Sequence, residues 1–429
     1  MKKLFFINDS LENKISYWHI VLFAVAFPFD RFYSELILIS FAIHTLIQLR
    51  KETLYQLPYK QILLLASVFL LTIFCISYSP NKMQAFDDTG RQLAILLFPV
   101  LFAFDNLNQN KYRHQILYLI SLVCVYVVIY LYTDAIRTIL FYHLPFTSLL
   151  TATFLNHHFS QPIGIHATYL SMYVAIAFVF FLQQLLIEKK KLKKIGYTAT
   201  SLLLLCGIIQ LSSRAVFISL LLIVNIVLPF VGLKKETRFK YILTSFLVSA
   251  TLVIFLSNNH TFKERYFTDT QSELTFNSIK GYDAEPRIER WKVAVSIIKN
   301  SPVVGHGSGT EISLLKEEYF LRKMYVSFLN ELNTHNQYLS LLIKTGIAGL
   351  SLFLFTLFAG FKKAIHQKDS IFLSFLIIVS TVSFSENILD TNKGIFYYSF
   401  FFSFFFLTKK QAVTQQKKTT TTKINSNPF

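Results

Sequence analysis

Charge is scarce in this sequence. Only 15% of its 429 residues are Asp, Glu, Lys or Arg, against roughly 25% in a soluble domain. A chain so poor in charge is not an ordinary water-soluble protein. Cysteine is scarcer still, with Cys75, Cys124 and Cys206 the whole set. All three fall inside apolar runs and read as small core or lipid-facing residues, not as a disulfide framework or a metal site. No small-residue cleavage site follows the first apolar stretch, so no cleavable signal peptide is expected. The formal charge of +18 would suit nucleic acid. The lysines and arginines sit in short clusters between apolar segments, however, and form no soluble face, so no nucleic-acid partner is expected.

What the chain has in plenty is apolar. Hydrophobic residues make up 53%, with 45 Phe and 22 Tyr, an excess that suits lipid-facing surfaces and interfacial belts. One helical crossing of a bilayer core takes about 20 apolar residues. The runs predict an all-α polytopic membrane protein with twelve spans, near 15–30, 33–49, 61–79, 91–105, 114–134, 163–187, 196–212, 214–232, 241–257, 336–360, 371–385 and 394–408. The seventh and eighth meet at Ser213 as a tight helical hairpin. Four regions result: spans one to nine over 1–257, a helical loop over 258–335, spans ten to twelve over 336–408, and a polar tail over 409–429 expected to be disordered. Within the long loop, PRIERWKVAVSIIKN predicts a helix over 286–300 with Pro286 in its first turn, and a second is expected over 310–330.

Loop charge predicts the orientation. Alternate loops and both termini hold 25 of the 42 basic residues, and the opposite short loops hold six: Arg31, Lys82, Arg91, Arg137, Arg214 and Lys393. Lys and Arg mark the cytoplasmic side, so both termini are expected inside and 258–335 outside.

Charged and polar groups at the ends of spans are the informative ones. His335 and Asn336 open the tenth span, and Gly346 and Gly349 follow at a spacing that thins one helix face for close packing. A neutral imidazole there is a candidate general base; the plainer reading is a histidine that caps a helix. Arg214, after Ser213, is a snorkelling anchor or a ligand group. Arg287 and Arg290 lie three apart near a helix N-terminus, a ready anion site, with Trp291 placed to stack on Arg287 or on a sugar. Arg91 stands at the start of the fourth span. His166 and Tyr169 stand at the start of the sixth, and the pair His157 and His158 precedes them. No carboxylate or cysteine lies at ligand spacing from those histidines, so no metal site is expected. All these residues fall on the outer side. Arginines and a histidine without an acidic cluster suit a phosphate-bearing ligand, and a lipid diphosphate would reach them through the bilayer.

The stretch PRIERWKVAVSIIKNSPVVGHGSGT, followed by NTHNQYLSLLIKTGIAGL, resembles the O-antigen ligase family. Its histidine signature is met by His335, Asn336, Gly346 and Gly349. Its Arg-x-x-x-Trp helix with a following Pro-x-x-Gly-x-Gly is met by Arg287, Trp291, Pro302, Gly305 and Gly307, and its Ser-Arg by Ser213 and Arg214. The resemblance implies a GT-C-like membrane fold and an inverting, metal-independent glycosyltransferase without a cofactor. The donor would be an undecaprenyl-diphosphate-linked glycan on the periplasmic side of the inner membrane, and the acceptor a hydroxyl, with lipid A-core favoured. By that analogy Arg214 and Arg287 bind the diphosphate and His335 activates or orients the acceptor; Arg290 and Arg91 are added from their positions. Because the same motifs occur in O-antigen polymerases and protein O-oligosaccharyltransferases, these remain alternatives. The His-Asn pair with two glycines favours a ligase. A transporter for the lipid-linked glycan would need charged residues deep within several spans, and Lys344 is the one basic residue placed there.

Overall fold

The computed structural model describes residues 6–274 and 285–408. Among them the chain is helical, without strands, as the apolar runs predict. The tail over 409–429, expected to be disordered, lies outside the described residues.

Among the described residues seven helices are long and apolar enough to cross a membrane: Tyr59–Ile76, Gln109–Phe141, Ala167–Ile187, Lys191–Leu211, Arg214–Gly232, Lys235–Asn258 and Gln337–His366. The other five expected spans are shorter helices: Leu11–Ala26, Arg31–Ile47, Ala94–Phe104, Ser370–Val382 and Asn392–Leu407. Ala94–Phe104 is lengthened by the helix before it, Lys82–Gln92, since the intervening Leu93 keeps right-handed helical dihedrals.

Phenylalanine is used differently from expectation. Asn392–Leu407, NKGIFYYSFFFSFFFL, is buried on every side from Gly394 to Phe406. Its rings meet those of Phe23, Phe27, Phe98, Phe372 and Phe375 edge to face. A helix apolar all round belongs in the middle of a bundle, so much of the aromatic excess fills the core and not a lipid belt. Of the seven long apolar helices, Lys235–Asn258 is the most open to its surroundings, with only 11% of its apolar stretch buried.

The expected hairpin at Ser213 is a turn but not a packed pair. Ser212 adopts a left-handed conformation, φ +52°, and reverses the chain. Beyond it the helices part: Lys191–Leu211 packs on Ala167–Ile187, whereas Arg214–Leu222 packs on Ser370–Val382. The turn therefore sets Arg214 at a junction of helices.

The glycines of the tenth span also act differently from expectation. Gly346 does not thin a helical face; it breaks the helix, with φ +62° and ψ −159°. The freed backbone groups are met by the loop after Arg287–Asn300, the Pro302-to-Gly307 stretch. His306 N–H donates to Ile343 O at 2.8 Å, Gly307 N–H to Lys344 O at 2.9 Å, and Ile347 N–H to Pro302 O at 3.0 Å. The loop thus replaces the helical hydrogen bonds that the break removes. Gly349 stays helical, with Leu71 of Tyr59–Ile76 at 3.5 Å from where its Cβ would stand. Two motifs far apart in sequence are one structural joint.

Candidate functional site

The joint holds the first half of Gln337–His366, and with it the residues before it. Asn336 is the true cap: its Oδ1 accepts the N–H groups of Tyr338 at 3.0 Å and Leu339 at 3.2 Å. The plain reading of His335 as a helix cap therefore fails, and its ring is left for other contacts. Three side chains clamp the segment. Asn387 Oδ1 accepts Asn336 N–H at 2.8 Å. Glu311, from the Glu311–Leu321 helix, accepts Thr334 N–H at 3.1 Å and its hydroxyl at 3.0 Å. Trp291 donates its indole N–H to Thr334 O at 2.9 Å. Trp291, expected to stack on Arg287 or on a sugar, also fixes the backbone beside the histidine through this hydrogen bond. So clamped, His335 sits at φ +44°, a conformation few non-glycine residues adopt and histidine more readily than most.

The His335 ring faces a carboxylate. Its Nδ1 lies 3.5 Å from Glu386 Oε2, with side chains 29% and 12% exposed. That is ion-pair distance and too long for a strong hydrogen bond. Burial opposes ionisation of Glu386, yet His335, His166 and Arg287 outweigh it and hold the carboxyl below its ordinary range. His166 behaves oppositely: burial, with its neighbours His157 and His335, lowers it to about 4. Its Nδ1 accepts Thr168 N–H at 3.3 Å, as a neutral ring requires. Its ring touches those of His157 and Tyr169.

Arginines close the other side. Arg287 and Arg290, on one face of Arg287–Asn300, share Glu273 Oε2 at 3.6 and 3.8 Å. Arg287 Nη1 also donates to Ser385 O at 3.2 Å, beside Glu386. Arg290 is buried, with Nη1 3.5 Å from Asn333 O. Arg214 reaches in from the Ser212 turn, its Nη1 donating to Thr270 at 3.1 Å. The charges of Arg287 and Arg265 act on Arg214, and that of Arg287 acts on Glu386, so these groups form one electrostatic unit. Arg287 Nε and Arg290 Nε are buried without a hydrogen-bond partner, and such donors suit an incoming oxyanion.

Arg214, Arg287, Arg290, Ser213, His166, Tyr169 and His335 thus come together. Arg91 does not join them. It pairs with Asp88 and lines a separate cleft with Glu311, Lys344 and Asp390. Lys344, the basic residue placed within a span, is paired there: its Nζ lies 2.7 Å from Asp390 and 3.6 Å from Glu311. The expectation of a site without acids is also corrected. Glu273 and Glu386 stand inside it, and Arg265 is a further cation; sequence reasoning passed over all three. The signal for Glu386 was present in SENILD, a doubly acidic stretch between two apolar helices.

The family model described as O-antigen ligase matches residues 199–354. Over that stretch, a little over a third of the chain, the sequence is similar to the O-antigen ligase family. The stretch contains Arg214, Arg265, Glu273, Arg287, Arg290 and His335, hence most of the site, while His166 and Glu386 lie outside it. The match points to a membrane glycosyltransferase of the O-antigen ligase or polymerase type. No curated protein matches the chain.

Proposed function

We propose that the chain transfers a glycan from undecaprenyl diphosphate to a hydroxyl of a lipid A-core acceptor, on the periplasmic face of the bacterial inner membrane, by one inverting displacement that uses neither metal nor cofactor. The observation that carries this reading is the meeting of the His335–Glu386 pair with Arg214, Arg287 and Arg290. The acceptor oxygen attacks the anomeric carbon as His335 takes its proton. The bond from that carbon to the diphosphate oxygen breaks, and its electron pair leaves with the phosphate. A single displacement inverts the anomeric centre. Charge grows on the diphosphate, where fixed guanidinium groups stabilise it without reorganisation. Membrane lipid surrounds the donor's polyprenyl chain. A ligase is favoured over a polymerase or a protein O-oligosaccharyltransferase by the His335-Asn336 pair with Gly346 and Gly349.

The test is a transfer assay with purified protein, lipid-linked glycan and lipid A-core, run with and without EDTA. Wild type is expected to transfer equally in both. Arg287→Ala is expected to lose about 10²- to 10³-fold in kcat, the scale for removing one charge-stabilising donor. Activity that needs a divalent ion would overturn the metal-free mechanism.

Glu386 orients the base in this scheme and stabilises the protonated imidazole. Glu386→Gln is expected to lower kcat by about 10- to 100-fold, a part of the 10²–10⁴ that general-base catalysis supplies, with KM for the donor little changed. The ionised carboxylate also contributes stability. Because its pKa is depressed in the folded chain, that contribution is complete above the ordinary value of 4.5 and lost as pH falls through the depressed one. Thermal unfolding in detergent is expected to show wild type losing more stability than Glu386→Gln on acidification below that value.

A further inference from the structure

We infer that the cleft on the other face of the His335 segment is the subsite for the acceptor's sugar, an inference that rests on the transferase reading. The cleft encloses about 430 Å³, within the size of small-ligand sites. Gln84 and Asp88 line it from Lys82–Gln92, Glu311 and Lys316 from Glu311–Leu321, and Lys344 and Asp390 from below. Four carboxylates (Asp88, Glu311, Glu331, Asp390) face three cations (Arg91, Lys316, Lys344). The near balance rejects a polyanion and so separates this cleft from the arginine side. Ile312 is its one large apolar residue, which rejects a lipid chain. What fits a wall of carboxylates, amides and ammonium groups is a neutral ligand dense in hydroxyls, each both donor and acceptor. A separate observation points the same way. Gln92, 5% exposed, lines with Asp88 and Lys344 a small pocket beside the cleft, and its Oε1 has no hydrogen-bond partner.

The cleft and the imidazole share a thin wall. Asn333 lines the cleft while its Oδ1 accepts His335 N–H at 2.9 Å and its carbonyl faces Arg290. Asn387 also lines it, holds Asn336 N–H, and precedes Ile388 in the stretch that carries Glu386. A sugar seated there presents its rim hydroxyl over Asn333 to His335, opposite the donor.

Two measurements on the full chain in detergent decide it. In the first, lipid-free core oligosaccharide is titrated into the protein by calorimetry. Wild type is expected to bind saturably, and Ser313→Trp, which fills the cleft from an exposed helix position, to lose that binding. In the second, transfer is measured against acceptor concentration. Gln84→Ala with Lys316→Ala is expected to raise KM for lipid A-core about tenfold or more, with the donor KM and kcat nearly unchanged, the pattern of lost uniform acceptor binding. Wild-type binding that Ser313→Trp leaves intact, absence of wild-type binding, or an unchanged acceptor KM would each overturn the subsite. Saturable binding that Ser313→Trp abolishes, in a wild-type protein that transfers nothing, would instead overturn the transferase reading and leave a carbohydrate site in the cleft.

Discussion

His335→Ala is expected to slow glycan transfer by about 10²- to 10⁴-fold, the range for losing a positioned general base, while the affinity for the lipid diphosphate is retained. The two effects separate because different elements supply them. The guanidinium groups come from the Ser212 turn and from Arg287–Asn300, and neither depends on the imidazole for its position. The His335 ring makes its close polar contact through Nδ1 to Glu386, so truncation leaves Glu386 beside Arg287 with its charge still compensated. The backbone of residue 335 is held by Asn333, Thr334 and Asn336, not by its own side chain. The variant should therefore fold, and thermal unfolding in detergent is the control. Single-turnover transfer at saturating donor reads the chemical step. Activity equal to wild type would remove His335 as the base; loss of donor affinity in step with kcat would make it a donor ligand. Added imidazole is expected to restore part of the rate in His335→Ala and none in Arg287→Ala.

How much of this was legible in the sequence depends on the range of the interaction. The anion-binding helix was legible because Arg287 and Arg290 lie three apart and Pro286 precedes them, all within one turn. The Asn336 cap was also local. Glu386 was not, because its pairing with His335 spans 51 positions and nothing in local spacing joins the eleventh loop to the tenth span. Glu273 had the same fault, since it meets Arg287 and Arg290 from 14 and 17 positions away. The phenylalanines show a different limit. Composition counted them, yet only the absence of any polar stripe along Asn392–Leu407 separates a core helix from a lipid-facing one. The apolar runs carried the helical architecture, since they are properties of segments and not of contacts. Backbone dihedrals are the least legible of all: a glycine at a packing spacing and a glycine at a break are the same letter.

That ambiguity makes Gly346→Ala the sharpest test of the joint. The substitution is expected to destabilise the protein by about 2–6 kcal/mol, the sum of a strained backbone and an overfilled contact. With φ +62° and ψ −159° the residue occupies a region closed to side chains. An added Cβ would also overlap the carbonyl of Val303 and stand 2.7 Å from Gly305 N, so the Pro302-to-Gly307 loop must move. Once it moves, the hydrogen bonds to Ile343 O, Lys344 O and from Ile347 N–H fail together, and the buried groups they satisfy are left unpaired. Gly305→Ala should act alike, since its Cβ would lie 2.6 Å from Gly346 N at φ +69°. Because both substitutions open the same contact, the double variant should lose clearly less than the sum of the two. Gly196→Ala is the matched control: nothing lies within 4 Å of its Cβ position, and alanine in a helix is favoured by up to about 1 kcal/mol. If Gly346→Ala unfolded at the wild-type temperature, the broken helix would be wrong, and with it the placement of Lys344 and His335 on one rigid half.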